Sequence, residues 1–155
     1  MKMKFRRILA STVALGVGLA AMAQEEAFKR AGRLPDVEYI YMSKDILSKV
    51  GGSLPVSGMD EVASQLTSME MLKTSSRESA VKAFDILESS REGMELLTHM
   101  SENDGTVDIY GVRNSDKLSE LMVLVMNDSI LSAVMMKGNI DPETIKGISP
   151  ESGKD

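Results

Sequence analysis

His99 is the single histidine of the 155-residue chain, and proton transfer near neutral pH leans on that side chain. A hydrolase built around it needs a carboxylate to orient the ring and a nucleophile beside it. Glu95 and Asp108 are the carboxylates close enough in sequence to serve. The nucleophile is harder to find: there is no cysteine, no second histidine and no G-x-S-x-G elbow, so acyl-transfer chemistry has little to build on. Strand alternation sets His99 apart from Met94, Leu96 and Met100, on a face with Glu95, Leu97 and Ser101. An ordinary sheet-face histidine is expected, with an envelope hydrolase as the alternative.

Thioethers come next. Ten of the 13 methionines lie beyond residue 23, and Met69-x-Met71 and Met135-Met136, with His99, offer soft donors of the kind that hold Cu(I). Neighbouring strand residues point to opposite faces, so Met135 and Met136 cannot chelate one ion together. Methionine also fills gaps in a core that has three Phe, three Tyr and no Trp. A Met/His metal carrier is therefore the weaker alternative. No D-x-[DN]-x-[DN]-G calcium loop occurs, and Asn103-Asp104-Gly105 and Asn127-Asp128 are explained as turns. No G-x-G-x-x-G cradles a phosphate. The expectation is a chain without cofactor or metal, and not an enzyme.

The elements that position these groups centre on Glu120–Met136, ELMVLVMNDSILSAVMM. Two short apolar runs around Asn127-Asp128-Ser129 predict a β-hairpin, because Asn and Asp tolerate turn conformations and bond their own backbone. A two-residue loop centred on Asn127-Asp128 or on Asp128-Ser129 sorts the side chains identically. Leu121, Val123, Val125, Ile130, Val134 and Met136 share one face, and Met122, Leu124, Met126, Leu131, Ala133 and Met135 the other. Neither face is polar, so a hairpin wetted on one side fits poorly. Either the chain covers both faces, or a ligand, peptide or second copy covers one. The face carrying Met122, Leu124, Met126, Leu131 and Met135 is the expected partner face, exposing a few hundred Å² or more of apolar surface.

Residues 1–23 carry the marks of a secretory signal peptide. Lys2, Lys4, Arg6 and Arg7 precede an apolar stretch, Ile8 to Ala21, and Ala21-Met22-Ala23 forms an A-x-A cleavage site before Gln24. Without cysteine there is no lipobox, hence a periplasmic or secreted protein rather than a lipoprotein, with no integral span after cleavage. All 23 acidic residues follow the leader while four of the 18 basic ones lie within it, which leaves a net charge of −9. Such a chain repels nucleic acid and anionic headgroups.

In order, residues 24–36 form a polar N-terminal segment, frayed or a short helix at best. Val37–Met42 is a strand, and Ser43 N-caps a helix through Val50 with Ile46, Leu47 and Val50 inward. A loop with Pro55 and Gly58 leads to a strand at Leu66–Lys73, and Ser75-Ser76-Arg77-Glu78 reads as a capping box for a helix bearing Ala80, Ala83, Phe84 and Leu87 on one stripe. A meander from Gly93 turns at Asn103-Asp104-Gly105, the hairpin follows, and Asp141-Pro142-Glu143 opens a last helix. The order β-α-β-α-β-β-β-β-α predicts one α+β domain over residues 37–148, a mostly antiparallel sheet with helices packed on one face. A loose tail, 149–155, ends it.

The signal peptide, Val37–Leu47 (VEYIYMSKDIL), the four-strand meander and the closing KGNIDPETIKGI together resemble a family of small exported Bacteroidetes proteins, the domain-of-unknown-function family 4252. Gly138-Asn139-Ile140-Asp141 is the most recognisable part. The resemblance implies no activity and transfers no functional residue. The sequence thus points to an exported, non-catalytic binding or interaction module of the cell envelope.

Overall fold

The hairpin lies in the middle of the sheet. The computed structural model of the chain describes residues 24–50, 56–57, 59–146 and 149–150. The expected leader and residues 151–155 of the expected tail lie outside them. In chain order the elements are α1 (residues 24–32), β1 (Val37–Ser43), α2 (Lys44–Val50), β2 (Val56–Ser57), α3 (Met59–Ala63), β3 (Leu66–Thr74), α4 (Arg77–Ser89), β4 (Glu95–Glu102), β5 (Gly105–Asn114), β6 (Lys117–Asn127), β7 (Ile130–Ile140), α5 (Pro142–Ile145) and β8 (Ser149–Pro150). Six strands form one antiparallel sheet in the order β1-β3-β7-β6-β5-β4. β2 and β8 pair separately, so Ser149 and Pro150 form a short strand where a loose tail is expected.

The α+β class and the antiparallel meander agree with the sequence. Asn127 pairs with Ile130, which makes Asp128-Ser129 the hairpin loop and gives the predicted sorting of side chains. Leu66–Thr74 is a strand. The placement of the helices differs from expectation, because they cover both faces. On the first face α1 and α4 cover Leu72, Met122, Leu124, Leu131, Ala133 and Met135. On the second face Leu47 of α2 and Val62 of α3 join Met69, Leu118, Leu121, Met136 and Ile140, with Ile145 of α5 against them.

Residues 24–36 are not a loose polar prelude. Ala27, Phe28 and Ala31 recur at helical spacing and are fully buried against the sheet, and the charged residues Glu26, Lys29, Arg30 and Arg33 face out. Within α2 only Leu47 is buried, while Ile46 is exposed instead of facing inward.

The N-cap of α4 sits one residue later than the capping box suggests. Ser76 Oγ accepts from the Ser79 amide at 3.2 Å. Ser75 donates its amide to the Asp36 carbonyl instead, at 2.9 Å, and Glu78 pairs with Lys82 one turn on. Ser76→Ala is expected to cost about 1 kcal/mol, read as a lower urea midpoint at unchanged slope. Ser75→Ala, which leaves the cap intact, is expected to cost less.

Candidate functional site

The expected partner residues are core. Met122, Leu124, Leu131 and Met135 are each at most 1% exposed, and Met126 is partly buried against the same cluster. The expectation of an exposed face there is therefore corrected. The cover is α1, through Ala27, Phe28 and Ala31, together with α4.

The surplus apolar surface is on the other side. Register brings Ile40, Met71, Val134, Val123, Ile109 and Thr98 into one row, each directly opposite the next, across all six strands. The next row holds Val125, Val107 and Met100. The row on the opposite flank, Met42, Met69, Met136 and Leu121, is buried under α2, α3 and α5. Beyond that cover Ile40 is 53% and Met100 43% exposed. Met71, Val107, Val123, Val125 and Val134 remain partly exposed. The strip runs into a cleft of about 410 Å³ floored by Leu97, Ile109, Leu118 and Ile145, with Arg113 and Lys146 at its rim. Both cations are engaged, Arg113 with Glu95 at 2.8 Å and Lys146 with Glu143 at 3.1 Å.

His99 lies on β4, the outermost strand, with half its side chain exposed. Its Nδ1 meets a carboxylate oxygen of Asp108, the partner that the hydrolase alternative names. Glu95 turns away to Arg113. A bulge between Leu96 and Thr98 resets the alternation, so His99 shares the first face with Leu96 rather than with Glu95 and Leu97. Neither the apolar cleft nor the polar one of about 640 Å³ around Lys44, Gln65 and Lys137 includes His99. Met135 and Met136 point to opposite faces as expected. Among the described residues no group of three His, Cys, Asp or Glu is placed to hold a metal, and no helix is long and apolar enough to cross a membrane.

The first face has one polar end that sequence reasoning passed over. Glu70 and Glu120 are 4% and 8% exposed, and Oε2 of each lacks a partner among the described residues. They flank Lys137, Glu120 directly opposite it on β6 and Glu70 on β3 two residues beyond Ser68, which is opposite it there. Lys137 reaches Glu25 of α1 at 3.2 Å, and Tyr39 donates to Glu70 Oε1 at 2.8 Å. Burial pushes both carboxyls above the usual range, Tyr39 and Lys137 partly opposing it. Burial and the Glu70 carboxylate push the Tyr39 hydroxyl up, and the bond to Lys137 draws Glu25 down. Folded Glu70 and Glu120 hold their protons to higher pH than they do unfolded, so their ionisation subtracts stability as pH rises through that interval. Strand parity carried the signal: Glu70 shares a face with Leu72, and Glu120 with Met122 and Leu124.

Against this geometry, the family model for a domain of unknown function (DUF4252) matches residues 29–148. The chain belongs to that family. Among curated proteins none matches. A crystal structure of a protein of unknown function from Pseudomonas aeruginosa, PA94, is 9% identical, covering 74% of this chain and 76% of that one at a TM-score of 0.34. In this DUF4252 chain the Gly-Asn-Ile-Asp run has an architectural explanation. Gly138 passes against the Gln65 carbonyl, and the Asn139 amide donates to that oxygen at 3.0 Å. Ile140 is fully buried, and Asp141 caps α5 while its amide donates to Gln65 Oε1 at 2.7 Å.

Proposed function

We propose that this DUF4252 protein is an exported, non-catalytic interaction module of the cell envelope, and that it docks through the open half of the second sheet face. The observation that carries this is the unbroken apolar row from Ile40 through Met71, Val134 and Val123 to Ile109, opposed residue by residue across the sheet and only partly covered. A sheet face that stays apolar on both sides is stable in water when a second apolar surface meets it. The fitting occupant is a second copy of this chain. At the border of the strip Glu38 stands opposite Lys73, so the same surface can meet itself with opposite charges facing. The net charge of −9 after the leader argues against anionic lipid.

Sedimentation of the mature protein tests this. The wild type is expected to dimerise, and the double variant Val123→Asp, Val134→Asp to run as a monomer with its circular dichroism unchanged. Both side chains already touch solvent, so the charges can be hydrated in the monomer. A wild type that is monomeric at every concentration reached sinks the proposal.

The support for a non-catalytic role is the setting of His99, half-exposed on an edge strand and outside the clefts described. The His99–Asp108 contact favours the hydrolase alternative. Esterase activity that disappears in His99→Ala would establish that alternative instead.

A further inference from the structure

Among the described residues, the polar end of the first face sets three carboxyl groups against two cations. Within it stand Glu25 on α1, Glu70 on β3 and Glu120 on β6, with Tyr39 and Tyr41 on β1, against Lys137 on β7 and Lys29 on α1. Both lysines already reach Glu25, at 3.2 Å and 3.3 Å. The buried Oε2 atoms of Glu70 and Glu120 have no donor among the described residues. The first described turn of α1 covers this end. Glu25 is close enough to act electrostatically on both carboxyls. Gln24 falls on the inward stripe with Ala27, Phe28 and Ala31, is fully buried, and neither of its side-chain amide atoms has a partner among the described residues. The Ala21-Met22-Ala23 cleavage signal ends immediately before it.

We propose that leader removal turns the α-nitrogen of Gln24 into a third cation, an ammonium that settles against the Oε2 atoms of Glu70 and Glu120. This rests on the export reading. Hydrolysis of the Ala23–Gln24 peptide bond consumes one water, leaves the carboxylate on Ala23 and frees the amine on Gln24. An α-amine with an ordinary pKa of about 8 is charged at neutral pH. At a helix N-terminus the macrodipole opposes that charge, and the two carboxylates offset the opposition while gaining donors themselves. The uncleaved chain offers only a neutral amide at this position. The mature fold is therefore completed by the processing event itself.

Three forms of the protein test it: the chain beginning at Gln24, the chain retaining Ala21-Met22-Ala23, and the Gln24 chain cyclised to pyroglutamate. In the last, the α-nitrogen bonds to Cδ, the Cδ–Nε2 bond breaks and ammonia leaves, which removes the charge. The free-amine form is expected to melt about 3–6 °C above the other two near neutral pH. That difference is expected to vanish at pH values low enough to protonate the carboxyls, and in the double variant Glu70→Gln, Glu120→Gln. Equal melting of all three forms, or a difference that survives in the double variant, overturns the ion pair. The intact mass of the exported protein is read separately. A terminus at Gln24 supports the proposal, and a different terminus overturns both it and the cleavage reading.

Discussion

Leu124→Ala is expected to lower the free energy of unfolding by about 3–4 kcal/mol, while Val123→Ala, its immediate neighbour, costs about 1 kcal/mol. Both residues are on β6 and point to opposite faces. Leu124 is 1% exposed within the cluster formed by α1, α4 and the sheet. Truncating it removes buried methyl groups and leaves a cavity that flanking helices cannot fully close. Val123 loses only partly buried surface. Leu124→Asp goes further and is expected to prevent folding, because an unpaired carboxylate would sit where no water reaches. Urea unfolding of the two alanine variants checks the ordering. If Val123→Ala were the costlier change, the assignment of core face and open face would be reversed.

That contrast marks where the sequence was legible. A period of two and an Asn-Asp-Ser turn suffice to sort the hairpin into two apolar faces, and the sorting is met residue for residue. Which face is bare depends on α1, and α1 hides its purpose. Its buried stripe is made of two alanines, one phenylalanine and a glutamine, set among Glu25, Glu26, Lys29 and Arg30. Its stability comes from close packing rather than from a strong apolar pattern, so composition reads it as polar.

Bulges set a second limit. Alternation assumes an unbroken ladder, yet β4 slips between Leu96 and Thr98, β6 between Leu118 and Glu120, and β3 between Leu66 and Ser68. Each slip swaps faces downstream, which is how His99 came to meet Asp108 on the first face. The adjacent serines before α4 are a third case. Either could cap, and the choice falls to Ser76 because Ser75 is held by Asp36.

Gly138→Ala is expected to cost about 2–3 kcal/mol, a large effect for one added methyl group. A Cβ at this position would lie 2.2 Å from the Gln65 carbonyl oxygen and 2.9 Å from the Leu66 Cα. Both are backbone atoms, so no side-chain rotation relieves the overlap and the start of β3 must shift. The shift would pull the Gln65 carbonyl from the Asn139 amide and loosen Leu66 and Ile140, both fully buried. Gly93 supplies the comparison. It has φ at 86°, and alanine there is expected to cost about 1 kcal/mol in backbone strain alone. Denaturant unfolding of the two variants should rank Gly138→Ala as the more damaging. A Gly138→Ala protein within about 0.5 kcal/mol of wild type would mean that the strands part easily here. The ranking matters for function, because it makes the most recognisable run of the chain a device for seating β7 and α5 against β3. Searches for a partner then belong on the open strip around Val123 and Val134, and variants in the Gly-Asn-Ile-Asp run are expected to lose binding only as far as they lose the fold.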